Sequence, residues 1–179
     1  FNGYSVPEHF HTPKIRVYPI DDYRAISPFV SEGIDNLSRL LSTQSPEGLN
    51  AGLPFLPFFP AAQFFTAKVE YIDFQNGAGV RYLTMYGQAL APVDNQNLFY
   101  TFQGITNDGK YYLSAILPIT NSGLPDDGYS QMDDWMAFEE NWETYLADTI
   151  AWLEAQAPDA FTPSLNHLDA MLGSFSINE

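Results

Sequence analysis

The dipeptide Asn76-Gly77, set between two runs of alternating apolar and polar residues, fixes a β-hairpin near the middle of the chain. Asn-Gly is favoured there because both central residues of a type I′ turn take positive φ, a region open to Gly and tolerated by Asn. Ala67, Val69 and Tyr71 alternate with Lys68 and Glu70, residues 75–79 make the turn, and Val80-Arg81-Tyr82-Leu83-Thr84-Met85-Tyr86 returns. The same logic repeats in 98–106, the turn Asn107-Asp108-Gly109, and 110–119. The expectation is a meander of antiparallel strands. Large residues stand on both of its faces, Phe99 and Ile105 against Tyr100 and Phe102, so both faces need cover.

Helical patterns supply that cover. Ser27 is placed to cap a helix and Pro28 to occupy its first position, where a missing N–H costs nothing. Phe29, Val30, Gly33, Ile34, Leu37, Leu40 and Leu41 then form one stripe at three- and four-residue spacing. Residues 133–155 read as one long helix, with Asp133-Asp134 at its N-terminus. Its stripe is Trp135, Phe138, Trp142, Tyr145, Leu146, Thr149, Ile150 and Leu153, with Glu139, Glu140, Glu143 and Asp148 on the other side. Thr162-Pro163 repeats the cap-then-proline start for a stripe of Leu165, Leu168, Met171 and Leu172, ended by Gly173.

Short strands are expected at Ile15-Arg16-Val17-Tyr18, closed by Pro19, and at Ser174-Phe175-Ser176-Ile177. Residues 1–13 read as an extended arm. The proline- and phenylalanine-rich stretch 43–60 reads as an ordered loop pinned across the core, because its prolines forbid helix and central strand alike. The fold class is therefore α+β: a single domain over 1–179 with a central antiparallel sheet flanked by helices.

Charge excludes whole classes of partner. The formal net charge is −15, all seven Lys and Arg lie at or before position 110, and residues 111–179 hold twelve acids. Affinity for phosphate backbones comes from basic side chains that release counterions, so nucleic acid is not a partner expected of this region. Anionic lipid surfaces are disfavoured for the same reason. No apolar run reaches the roughly 18 to 20 residues that cross a bilayer, which argues against direct membrane insertion. Cysteine is absent, and with it any disulfide, thiolate nucleophile or Cys-based zinc site. The chain opens at Phe1 without an initiator Met, the expectation for a product trimmed of its targeting segment.

Candidate chemistry is sparse. His9 and His11, two apart with Glu8 nearby, share one face of an extended segment and could hold zinc or copper, although no third ligand is evident. His167 falls beside an apolar stripe and reads as a surface helix residue. Asp126, Asp127, Asp133 and Asp134 bracket a turn glycine with the oxygen donors a Ca²⁺ site needs, without the spacing of an EF-hand loop. Acid pairs before a helix also serve as caps. There is no Gly-x-Ser-x-Gly elbow. Asn76-Gly77-Ala78-Gly79 joins two strands, whereas a phosphate-binding loop leads into a helix. The acidic surface reads first as a solvated face that aids solubility. Its functional readings are a divalent-cation surface or a docking face for a basic protein partner, with Glu139, Glu140 and Glu143 as the docking residues. The many Tyr and Phe on the strands allow an aromatic cleft for a small molecule.

The run Tyr71-Ile72-Asp73-Phe74-Gln75-Asn76-Gly77-Ala78-Gly79-Val80-Arg81, with Leu98-Phe99-Tyr100-Thr101-Phe102-Gln103-Gly104 and Asp108-Gly109-Lys110-Tyr111-Tyr112, resembles an uncharacterised bacterial family of secreted or lipid-anchored proteins. His11-Thr12-Pro13-Lys14-Ile15-Arg16-Val17-Tyr18-Pro19 and Leu53-Pro54-Phe55-Leu56-Pro57 are similar to that family as well. The order of elements resembles the PsbP/Mog1-like α/β/α sandwich, which implies a domain that binds partners rather than one that catalyses. The reading is a non-catalytic extracytoplasmic binding or accessory domain, at the cell surface or in an envelope complex. The alternatives are a metal- or carboxylate-dependent hydrolase and a small-molecule carrier that uses an aromatic sheet face.

Overall fold

The computed structural model describes residues 4, 6, 9–47 and 52–177. Much of the arm expected over 1–13, and 48–51 of the expected loop, lie outside the described residues. Strand β1 (Lys14–Pro19) leads into a short helix α1 (Ile20–Arg24) and then α2 (Pro28–Thr43). After the proline-rich segment come β2 (Ala62–Gln63), β3 (Ala67–Phe74), β4 (Gly77–Thr84), β5 (Tyr86–Gly87), β6 (Phe99–Thr106), β7 (Tyr111–Pro118) and β8 (Thr120–Asn121). Helices α3 (Trp135–Glu140) and α4 (Trp142–Ala155), strand β9 (Phe161–Thr162) and helix α5 (Leu165–Gly173) complete the chain. The main sheet has five strands in the order β1-β7-β6-β4-β3, and every pair is antiparallel.

Sequence explains α2 closely. Ser27 is extended and its side chain accepts the Val30 N–H, Pro28 opens the helix, and Gln44 ends it in the left-handed region. Val30, Ile34, Leu37 and Leu40 are buried against Val80, Tyr82, Phe99, Tyr112 and Ile116 of the sheet. The opposite sheet face presents Leu83, Tyr100, Phe102, Leu113, Ala115 and Leu117 to Leu153 of α4 and to Leu165, Leu168 and Leu172 of α5. Each such large apolar side chain contributes about 1.5–3 kcal/mol when taken out of water. Helices thus cover both faces.

Buried side chains hold the backbone of the proline-rich segment through hydrogen bonds. The Tyr82 hydroxyl donates to the Pro54 carbonyl at 2.9 Å, Ser114 Oγ donates to the Leu56 carbonyl at 2.6 Å, and the Leu56 N–H donates to Gln103 Oε1 at 3.0 Å. Tyr112 also donates to Gln103 Oε1. Tyr82, Tyr112 and Gln103 are fully buried, so this network holds its bonds in a dry environment where an unmade bond is costly. Burial accordingly pushes the Tyr82 and Tyr112 hydroxyls well above the usual phenol range.

Four sequence expectations are corrected. The first hairpin turns on Gln75-Asn76, because Phe74 pairs with Gly77, and positive φ falls on neither Asn76 nor Gly77. Gly77 instead permits close approach: a Cβ there would meet the Phe74 ring and the Ile105 carbonyl. The terminal strand does not form. Asn76 takes its place, donating from Nδ2 to the Ile177 carbonyl (2.7 Å) and accepting the Ile177 N–H (3.0 Å), so the tail docks on a turn instead of a strand. The long helix is broken at Asn141, whose side chain donates to the Ala137 carbonyl at 2.7 Å, and α3 and α4 are separate. Thr162 and Pro163 do not start α5, since Thr162 pairs with Thr120 in β9 and the helix begins at Leu165.

Candidate functional site

His9 and His11 are spent on structure. His9 Nε2 lies 2.7 Å from the Leu98 carbonyl, and its Nδ1 accepts the His11 N–H at 2.9 Å. Both ring nitrogens therefore have backbone partners, and the proton sits on Nε2. The His11 ring stacks on Phe59 (5.2 Å, 11°) and meets Phe99 edge-on (4.5 Å). Desolvation lowers the pKa of both, to about 4 for His11, where His9 and Lys14 add repulsion. The His11 ring wedged among Phe10, Phe59 and Phe99 and the backbone bonds of His9 hold residues 9–11 in place; with both His9 nitrogens engaged, that ring has none left for a metal. His167 is exposed on α5.

The four aspartates are spread over local roles. Asp126 Oδ1 accepts from Asn95 Nδ2 at 3.2 Å, Asp127 Oδ1 accepts the Tyr129 N–H at 2.9 Å, and Asp134 caps α3 through the Ala137 N–H at 3.1 Å. Asp133 is exposed. Among the described residues no three His, Cys, Asp or Glu side chains gather as a metal site would require. The buried carboxylate in this region is Asp94, which the sequence reading passed over. It accepts N–H groups from Gln96, Asn97 and Gly128, and so ties the segment before β6 to the acidic loop.

Arg81 was also missed. Its side chain is only 4% exposed, and it pairs with Asp169 of α5 and Glu70 of β3 while donating to the Lys68 carbonyl. Tyr100 donates to the same Asp169 carboxylate at 2.8 Å. Burial, then the Asp169 charge, raises the Tyr100 pKa far above its ordinary value. Every strong donor here faces an acceptor, so the cluster clamps α5 to the sheet and offers no free base or nucleophile. An arginine in an inward position of an alternating strand, facing an acid on a later helix, was the available signal.

What stays open lies on the other side of the acidic loop. Tyr129 and Trp135 stack at 6.1 Å and 15°, Trp135 continues to Phe138 (5.5 Å), and Phe138 to Trp142 (5.5 Å) and Tyr145 (5.1 Å). The buried end is anchored, because Phe64 meets Trp142 edge-on and the Tyr145 hydroxyl accepts the Val93 N–H. The outer end is in water: Tyr129 is 52% exposed, Trp135 40% and Met136 73%. Asp133, Asp134, Glu139, Glu140 and Glu143 are exposed beside it, and none is in an ion pair among the described residues. The break at Asn141 contributes, since α3 buries no residue at all while α4 buries Leu153.

The chain matches no protein-family model, no curated protein and no solved structure.

A second open feature lies across the sheet from the ladder. A groove of about 800 Å³ runs between α2 and the 52–63 segment, lined by Phe29, Phe55, Phe58, Phe59 and Tyr86 with Asn36 and Arg39. Tyr86 of β5 is the strand aromatic that lines it; Tyr82, Phe99, Tyr100, Phe102 and Tyr112 of the main sheet are fully buried. No described helix is long and apolar enough to cross a membrane.

Proposed function

We propose that this is a non-catalytic binding domain that docks a basic protein partner on the α3–α4 face, acting in an extracytoplasmic setting. The observation that carries the reading is the exposed Tyr129–Trp135–Met136 end of the aromatic ladder beside the exposed acids Asp133, Asp134, Glu139, Glu140 and Glu143, none of which forms an ion pair among the described residues. Aromatic and Met side chains are enriched at the centres of protein interfaces, and the flanking charge selects the sign of the partner. A Lys or Arg side chain laid over Trp135 would gain a cation–π contact in addition to Coulomb attraction.

Two further points support the reading. The side chains of Arg81, Gln103 and Asp94 are each taken up by structural hydrogen bonds. Helices on both faces of an antiparallel sheet also agree with the layering that the PsbP/Mog1-like resemblance implies, and proteins of that fold mostly bind partners. The secreted or lipid-anchored setting rests on the resemblance to the bacterial family.

The test is co-purification from native envelopes with wild-type protein, the Glu139→Lys/Glu140→Lys/Glu143→Lys triple variant, and Trp135→Ala. A basic protein retained by the wild type, lost from both variants and released by moderate salt supports the proposal. Retention that ignores these variants would place the partner elsewhere and refute it.

A further inference from the structure

We propose that the groove between α2 and the 52–63 segment is a binding site for a small aromatic anion. It lies across the sheet from the α3–α4 face and is independent of the partner reading. Three properties support this: the groove is preformed, its walls are aromatic, and its lining cation, Arg39, stands well away from its lining acid, Glu32.

Preformation follows from the floor. The backbone at Pro54 and Leu56 is fastened by the buried side chains Tyr82, Gln103 and Ser114, so the groove does not need to be organised when a ligand arrives. Gly33 of α2 lets Leu56 approach closely, since a Cβ there would stand 3.2 Å from Leu56 Cδ1. At about 800 Å³ the space falls in the range of small-molecule sites, roughly 300–1,000 Å³.

The walls select the body of the ligand. Phe29 and Phe58 meet edge-on at 4.8 Å and remain 52% and 58% exposed, two large rings left in water at the mouth. Phe55 packs on Phe59 and Tyr86 behind them, at 5.1 and 4.8 Å. Flat rings inserted between such walls gain offset-stacked and edge-on contacts beyond simple burial.

Polarity selects the head group. Glu32, Asn36 and Arg39 face the groove along one stripe of α2. Seven residues place Arg39 about 10 Å from the Glu32 end. Arg39 Nη2 donates to Asn36 Oδ1 at 3.3 Å, so guanidinium and amide act side by side. An anionic head belongs at Arg39 and the rings toward Phe29 and Phe58. The acids of α3 and α4 lie beyond the sheet and are screened past roughly 8–10 Å at ordinary ionic strength.

The experiment titrates the full domain with two fluorescent probes of one shape, anionic 8-anilinonaphthalene-1-sulfonate and neutral N-phenyl-1-naphthylamine. Both should bind saturably, one per chain. Ala62→Trp, at an exposed groove position, should abolish both without changing the circular dichroism or the melting midpoint. Arg39→Gln should weaken the sulfonate roughly fivefold and leave the neutral probe unchanged. Absence of saturable binding, or probe binding untouched by Ala62→Trp, would overturn the site. Equal effects of Arg39→Gln on both probes would overturn the anionic assignment. Phe58→Ser offers the same reading from the opposite wall if Ala62→Trp fails to fold.

Discussion

Asp169 of α5 faces Arg81 at the centre of β4, Nε to Oδ1 at 3.2 Å, and the same oxygen accepts the Tyr100 hydroxyl at 2.8 Å. One carboxylate thus neutralises a guanidinium that the sheet has almost wholly removed from water. Its loss leaves Arg81 with Glu70, which is 62% exposed, and a backbone carbonyl. Asp169→Ala is expected to destabilise the fold by about 2–4 kcal/mol, whereas Tyr100→Phe should cost about 1 kcal/mol. Urea denaturation of both variants checks the ranking; equal costs would show that the ion pair is not what holds α5.

The Gln103 amide is the hub under the proline-rich segment. Replacing it with Ala strands the Leu56 N–H and removes the partner of the Tyr112 hydroxyl in a buried site. A loss of about 2–4 kcal/mol is expected, with Leu56 amide exchange accelerated more than that of the α5 amides. Hydrogen exchange read residue by residue distinguishes this local release from uniform destabilisation.

His11 carries a pH signature. Its folded pKa, about 4, lies below the ordinary value of 6.5, because burial disfavours the imidazolium. The unfolded chain therefore binds the extra proton first as pH falls. The contribution to stability is complete above pH 6.5 and is lost progressively down to about pH 4. Proton NMR should find the His11 ring neutral at pH 5, and a His11→Phe variant should lose less stability than wild type between pH 7 and 4. A ring titrating near 6.5 would contradict the wedge between Phe59 and Phe99.

Gly79 and Gly109 separate two uses of glycine. A Cβ at Gly79 would strike the Phe102 ring and sit 2.7 Å from the Gln103 carbonyl oxygen. At Gly109 nothing lies within 4 Å, and φ is +71°. Gly79→Ala should cost about 2–3 kcal/mol through overpacking, and Gly109→Ala about 1 kcal/mol through backbone strain alone. Thermal melts of the two variants make the comparison.

Local chemistry made much of the fold legible. The Ser27-Pro28 start of α2 and the Asp108-Gly109 turn needed only their own residues, and both stand in the structure. What escaped was set by partners far along the chain. Asn76, read as a turn former, is drawn to Ile177 by two hydrogen bonds, which removes the terminal strand. Asn141 looked like one more polar residue of a long helix and instead ends α3. Arg81 and Asp169 are 88 residues apart, a pairing that periodicity cannot disclose. For the candidate surface, the acids of α3 and α4 were visible in sequence, but the exposure of Trp135 was not. The stripe pattern sent that residue inward, and the break at Asn141 leaves it outside.

The docking face is tested most directly by photo-crosslinking in native envelopes. The photoreactive residue p-benzoylphenylalanine replaces Met136 beside Trp135 and, as control, Ser38 on the far side of the sheet. The expected result is one basic protein captured from the Met136 position, absent from the Ser38 position, and lost when Glu139→Lys, Glu140→Lys and Glu143→Lys are combined. Equal capture from both positions, or capture that survives the charge reversals, would contradict a docking face built on α3 and α4.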